Sequence, residues 1–225
     1  LLGLYLLGKI KFAHDSDLPY LSVPRLLLAI GVFAFVFYLI PGLWGAPLRA
    51  VGSILPSITT QEFNMNQSGG AQATVAPVLG EHMKAGPYGL VKYTDYETGL
   101  EAAKAAGKPV FLDFTGLGCA NCKTMEAQVW SDPQVRNLLA EEFVIVSLYV
   151  DDRERLPESE QYVSELTGRK VRTVGNKWTD FQITRYNTNS QPYYVLLNHE
   201  EEAMNKARGF NTDVEAFVKW LKEVL

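Results

Sequence analysis

The sequence predicts an α/β domain, a central sheet flanked by helices, preceded by a membrane-spanning helix. Three observations carry this reading. From about residue 90, short apolar runs of strand type alternate with helical patterns. Residues 26–48 contain no charged side chain. The two cysteines of the chain, Cys119 and Cys122, stand three positions apart where a strand-like run gives way to a helix-like one.

The N-terminal part reads as membrane. Leu1–Gly8 is apolar and is expected to be the end of a preceding transmembrane helix (1–8), so the chain reads as the C-terminal part of a longer protein. A loop follows at 9–25. From Leu26 to Ile40 every face is apolar, and the pattern continues through Trp44. A bilayer core of about 30 Å needs roughly 20 such residues, so 26–48 is expected to be a transmembrane helix rather than a buried soluble one. Ser22 and Pro24 suit its start, and Tyr38 and Trp44 an interfacial belt. Lys9, Lys11 and Arg25 lie before the span, whereas the nearest charge after it is Arg49. By the positive-inside rule the loop is cytoplasmic and everything after residue 50 lies outside, the periplasm of a bacterial inner membrane. Residues 49–89 have linker composition. Ser, Thr, Gln, Asn and Gly dominate 57–70, too few large apolar groups to build a core.

The globular domain is expected over 90–225. Asp95 caps a helix to about Ala106, and Gly107 stops it. Pro109–Phe114 is a buried strand, and a helix runs from Cys119 to about Val129. Ser131-Asp132-Pro133 opens another helix. Phe143–Val150 is a second strand, Glu158–Leu166 and Trp178–Tyr186 are helical, Pro192–Leu197 is a third strand and Ala203–Phe210 a fourth. Thr212 or Asp213 caps a last amphipathic helix carrying Val214, Phe217, Val218 and Leu221 on one face.

With 21 basic and 25 acidic residues and no basic run, the chain gives no footprint for nucleic acid. The cysteine pair is the informative feature. A cysteine attacks as thiolate, and Cys119 at the first turn of a helix meets unpaired N–H groups and the positive end of the dipole. Cys122, one turn on, is placed to resolve a mixed disulfide. Lys123 adds positive charge nearby, its side chain read as turned to solvent. A structural zinc knuckle needs four N or S ligands. Besides the two cysteines there are only His14 on the loop, His82 in the linker and His199, read as solvated in a turn. No metal site is therefore expected.

The run Lys108-Pro-Val-Phe-Leu-Asp-Phe-Thr-Gly-Leu-Gly-Cys-Ala-Asn-Cys-Lys123 resembles the active-site strand and helix of thioredoxin-like proteins. Gln191-Pro192-Tyr-Tyr-Val-Leu-Leu-Asn198 resembles that family's cis-proline and the strand after it. With a membrane segment in front, the chain resembles the C-terminal end of a DsbD-type thiol:disulfide interchange protein. The resemblance implies a thioredoxin-like fold, a central mixed sheet flanked by helices. It also implies protein-disulfide reductase activity with the Cys119–Cys122 disulfide as sole redox group and no other cofactor. Electrons would come from an upstream membrane relay domain and go to periplasmic thiol–disulfide proteins, a disulfide isomerase or a cytochrome c maturation protein. Gly118 stands where many such sites have Trp, and Ala-Asn replaces Gly-Pro between the cysteines, which alters the docking surface. The stretch 152–176 is longer and more charged than in a minimal thioredoxin and reads as an added helix and loop.

Two acids and a proline complete the expected site. Asp113, six residues before Cys119, occupies the strand position where the resemblance places a buried acid. Burial would raise its pKa and suit it to move a proton at Cys122. Glu126, four residues after Cys122, shares its helix face and would hold the cysteine pKa values up. A cis Gln191–Pro192 bond would bring both residues beside the cysteines, where the Gln191 backbone could pair with a partner's extended chain. A thiol oxidase or isomerase of the same fold, and a membrane-tethered metal-handling module, stand as alternatives at this point.

Overall fold

The computed structural model describes residues 1–13, 15, 20–44, 80 and 82–225. His14, residues 45–48 of the expected span, and most of the expected linker (49–79 and 81) lie outside the described residues.

The N-terminal unit holds two helices, α1 (Leu2–Leu6) and α2 (Val23–Leu39), the second continuing as a 3-10 turn over Ile40–Trp44. Pro24 sits in the first turn of α2, where its missing N–H removes no helix hydrogen bond. Arg25 closes the end of α1, its guanidinium donating to the carbonyls of Leu6 at 2.7 Å and Tyr5 at 2.9 Å. The segment Val23–Gly42, 20 residues, is long and apolar enough to cross a membrane. Its large side chains, Leu27, Ile30, Phe35 and Phe37 among them, face outward.

The globular unit is built on a five-stranded sheet: β1 (Met83–Ala85), β2 (Val91–Tyr93), β3 (Val110–Thr115), β4 (Val144–Tyr149) and β7 (Tyr193–Leu197). The spatial order is β1-β2-β4-β3-β7. β2, β4 and β3 are mutually parallel, and both edges are antiparallel. β3 is an interior strand buried at all six positions, which is why it reads as a mostly apolar run.

Strand alternation divides the core. Phe111 of β3, Ile145 of β4 and Leu196 of β7 face one side, covered by the cysteine helix α4 (Ala120–Met125), α5 (Pro133–Glu141) and α7 (Val214–Lys222). Leu112 and Phe114, Val146 and Leu148, and Val195 face the other, covered by α3 (Tyr96–Ala106) and α6 (Val174–Tyr186). Helix starts follow the sequence. Asp95 accepts from Thr98 N at 3.0 Å, Asp132 from Gln134 N at 2.9 Å and Asp213 from Ala216 N at 3.0 Å. Gly107 ends α3 at φ 65°, a conformation that a side chain would strain.

Several expectations are corrected. Met83–Ala85, within the expected linker, is a sheet strand, and His82 adjoins it, its carbonyl taking Thr94 N at 2.8 Å. Three-residue strands are too short to show alternation, and their pairing is tertiary. Glu158–Leu166 is not a helix. Glu158–Glu160 makes one 3-10 turn, and β5 (Tyr162–Val163) pairs with β6 (Lys170–Val171) in a hairpin. Tyr162, Val163 and Leu166 are all exposed, so no apolar stripe is buried there to hold a helix. Ala203–Phe210 makes bridges to β7 only at Ala203 and Arg208, two residues out of step with each other, so a bulge interrupts the ladder. α6 starts four residues earlier than expected, at Val174, because Thr173 caps it through Asn176 N at 3.2 Å. His199 is bonded to the Lys108 carbonyl at 3.0 Å rather than solvated.

Candidate active site

β3 ends at Thr115, the chain turns through Gly116-Leu117-Gly118, and Cys119 becomes the N-cap of α4. Its Sγ accepts from Cys122 N at 3.1 Å, the bond that Ser or Asp makes at ordinary helix starts. Cys119 and Cys122 are joined as a disulfide, with Cα atoms 5.3 Å apart. Cys119 is half-buried and follows two exposed residues, Leu117 and Gly118, whereas Cys122 is 4% exposed. A partner can therefore reach the first sulfur and not the second. Lys123 is half-buried rather than fully in solvent.

The helix does not run regularly to Val129. After Met125 a π-turn spans Glu126–Trp130, closed by Ser131 N donating to the Glu126 carbonyl at 3.1 Å. Such wide turns re-aim the side chains at their start. Glu126 points to Lys92 of β2, its Oε1 3.1 Å from the ammonium.

Lys92 was not singled out in the sequence, where it is one lysine between Val91 and Tyr93. It is 3% exposed, shares its sheet row with Ile145, and lies over the rings of Trp130 and Tyr149. Burial pulls its pKa down, but Glu126, then Tyr149 and Asp113, outweigh that and hold it above the usual range. The only sequence signal was a cation in a run that burial makes costly.

Asp113 points from β3 to the same side of the sheet as Phe111, the side covered by α4. It is 2% exposed and accepts from the Ser147 hydroxyl at 2.8 Å across the β3–β4 pair. Burial pushes its carboxyl up to about 7 against the pull of Lys92 and the Ser147 bond, while Glu126 adds to the rise. The two expected acids thus differ. Glu126 is matched to a buried cation, and Asp113 is the buried acid poised to titrate near neutrality.

The Gln191–Pro192 bond is cis, as expected. Tyr193 pairs with Phe114, so Pro192 comes level with the end of β3, where the cysteine loop starts. The Gln191 side chain turns away to Gln182 of α6, donating to its Oε1 at 3.0 Å, and Gln182 in turn donates to the Ser190 carbonyl at 2.9 Å. Cys119, Cys122, Gly118 and Pro192 therefore share one end of the sheet, with Asp113 on the cysteine-helix side and Glu126 drawn toward Lys92.

A family described as thioredoxin-like matches residues 92–171, a span containing Lys92, Asp113, both cysteines and Glu126. A thiol:disulfide interchange protein DsbD of Ralstonia nicotianae is 34% identical over 77 residues, 34% of this chain and 12% of that protein. Among solved structures, a DsbH oxidoreductase aligns over 72% of this chain and 97% of its own at 18% identity, with a TM-score of 0.44. The Neisseria meningitidis DsbD C-terminal domain in its reduced form aligns over 57% and 93% at 16% identity, with a TM-score of 0.42. The globular unit has a thioredoxin-like α/β fold, residues 92–171 of it match the thioredoxin-like family model, and over 77 residues the chain is similar to a thiol:disulfide interchange protein.

Proposed function

We propose that this chain is a membrane-tethered protein-disulfide reductase that passes electrons through Cys119 and Cys122 to thiol–disulfide proteins outside the cytoplasm. The observation that carries the reading is the asymmetry of the pair: a reachable sulfur at a helix N-cap and a buried one a turn away, on a helix that covers the sheet face carrying a buried acid pushed up to about 7. The thiolate of Cys119 attacks a sulfur of the partner's disulfide, forming a mixed disulfide and releasing one partner thiolate. Cys122 gives its proton to Asp113 and attacks Cys119 Sγ, and the second partner sulfur leaves. The partner gains two electrons, and the Cys119–Cys122 disulfide remains to be reduced by a dithiol of the upstream membrane relay. Gly118 and the Gln191–Pro192 backbone form the surface on which the partner's chain lies.

The reductive direction is what the resemblance to DsbD-type proteins implies, and the reduction potential tests it. A value closer to thioredoxin's, about −270 mV, is expected; one near −120 mV would make the domain an oxidant. The charges of Lys9, Lys11 and Arg25 before the apolar helix support an inner-membrane protein with the globular domain in the periplasm. A reporter fused after Leu225 that is active only in the periplasm should be active, and a reporter active only in the cytoplasm should be silent. The reverse pattern would remove both the orientation and the periplasmic partners.

Asp113→Asn keeps an oxygen for the Ser147 hydroxyl and cannot ionise. Resolution of the mixed disulfide should slow by about tenfold or more, with the rise in rate around neutral pH lost. Stability responds in the opposite sense. The carboxyl titrates at 3.8 when unfolded and about 7 when folded, so the folded state binds the extra proton between those values. Stability from this group is therefore lost as pH rises from about 4 to about 7. Asn should flatten that slope and leave the variant at least as stable as wild type above pH 7. Denaturant melts and pH–rate profiles read both effects, and an unchanged rate profile removes Asp113 from the proton path.

A further inference from the structure

Asp151 stands two residues after the end of β4. Its Oδ1 accepts from Leu117 N at 2.7 Å and its Oδ2 from Gly118 N at 2.8 Å, so one carboxylate takes both backbone donors just before Cys119. A Cβ at Gly116 would lie 3.0 Å from Oδ2, so a side chain there would press on the carboxylate. Cys119 N closes the turn on the Gly116 carbonyl at 3.1 Å. The carboxylate is itself anchored from behind. Val150 N donates to the Thr115 carbonyl at 3.0 Å, Thr179 of α6 donates to the Val150 carbonyl at 3.2 Å, and Gly175 N donates to the Asp152 carbonyl at 3.0 Å. A Cβ at Gly175 would come within 2.7 Å of the Val150 and Asp152 backbone, so α6 sits directly on this segment.

We infer that Asp151 is a positioning residue of the redox centre: it clamps the Gly116–Gly118 turn and, by its charge, biases the cysteine pair toward giving up electrons. This rests on the thiol–disulfide reading above. Gly118, held by the carboxylate, is one Cα step of about 3.8 Å from Cys119. A fixed negative charge there opposes the Cys119 thiolate, and two N–H groups that could otherwise turn toward that thiolate are occupied. Both effects have the same sign. They disfavour the thiolate of the reduced pair and leave the neutral disulfide untouched, so the reduced form becomes the better donor. Other charges toward this end of the domain, among the described residues, include Lys123 on α4, Asp113 on β3, the Lys92–Glu126 pair, Lys84 of β1 over the Tyr149 ring, and Asp152, whose Oδ1 accepts from Glu154 N.

Asp151→Asn in the full chain tests this, since Asn retains an oxygen for one of the two bonds and removes the charge. The rate of iodoacetamide labelling of Cys119 against pH gives the thiolate midpoint, and equilibration with glutathione gives the balance of dithiol and disulfide. The midpoint should fall by about half a unit to one unit, as expected for a charge several Å away in a partly solvated loop. The equilibrium should move toward dithiol, by about three- to tenfold when measured at a pH above both midpoints and by less below them. Asp151→Glu, which keeps the charge, should return the midpoint most of the way to wild type. A midpoint that stays put or rises in Asp151→Asn, whatever the change in melting temperature, overturns the inference. Labelling does not depend on turnover: a wild-type chain that reduces no disulfide substrate would sink the reductase reading while the Asp151 result still stands or falls by itself.

Discussion

Cys119→Ser is expected to reduce disulfide-reductase activity to background, whereas Cys122→Ser should accumulate a covalent complex with the partner. The reason is the unequal exposure of two sulfurs held in one turn. Cys119 Sγ lies at the helix N-cap within reach of an incoming disulfide, and Cys122 is 4% exposed. Without the first sulfur nothing attacks, because the thiolate is the nucleophile and oxygen at a serine is not ionised near neutral pH. Without the second, the mixed disulfide forms and has no internal thiol to resolve it. Non-reducing gels and mass spectrometry of the trapped species check this directly. In the reduced wild-type domain, alkylation should mark Cys119 first; faster labelling of Cys122 would reverse the two roles.

Lys92→Met should cost about 3 kcal/mol of stability, the lower end of what breaking a buried ion pair costs. Methionine keeps most of the stem that packs against Trp130 and Tyr149 and leaves the half-buried Glu126 carboxylate without its cation. The lower end applies because the Glu126 side chain retains 20% exposure and can draw in water. A second consequence is chemical. Lys92 pulls the Asp113 carboxyl down, so its removal should move that titration upward from about 7 and shift the pH profile of disulfide resolution with it. The double variant Lys92→Met/Glu126→Gln should recover much of the lost stability, since an uncharged pair leaves no buried charge alone. Urea melts of the four proteins give the coupling energy. A double variant no more stable than Lys92→Met would mean that the loss comes from packing rather than charge.

The site's covalent part was legible in the chain because it is local. A strand, a glycine turn and a cysteine at a helix start occupy consecutive residues, and each has its own signal: an apolar run, Gly116 and Gly118, and the Cys119/Cys122 spacing. Asp113 was legible because an acid inside an apolar strand has few harmless explanations. Pro192 stood out through the Gln191-Pro192-Tyr-Tyr-Val run that resembles the family's proline turn. Lys92 and Asp151 were not legible, since a lysine in a short alternating segment and an aspartate after a strand are common on solvated surfaces. The helix expected over 158–166 failed for a related reason: its helical spacing had no buried surface to pack against, and the hairpin won by pairing Tyr162 with Val171.

The sequence by itself determined the uncharged 26–48 stretch, the cap at Asp95, helix starts at Ser131-Asp132-Pro133 and at Thr212 or Asp213, the central strands and the dithiol motif, because burial, capping and helix-end chemistry act over a few neighbouring residues. Only the tertiary structure decided how the charges around that motif are shared. Lys92 reaches Glu126 from 34 positions away, and Asp151 reaches the cysteine turn across 33 and 34. Parallel strand pairing sets both contacts: it brings β2 alongside β4 and the end of β4 alongside the end of β3. Electrostatic roles depend on distance in space and on exclusion of water, and neither is written in the spacing of residues along the chain.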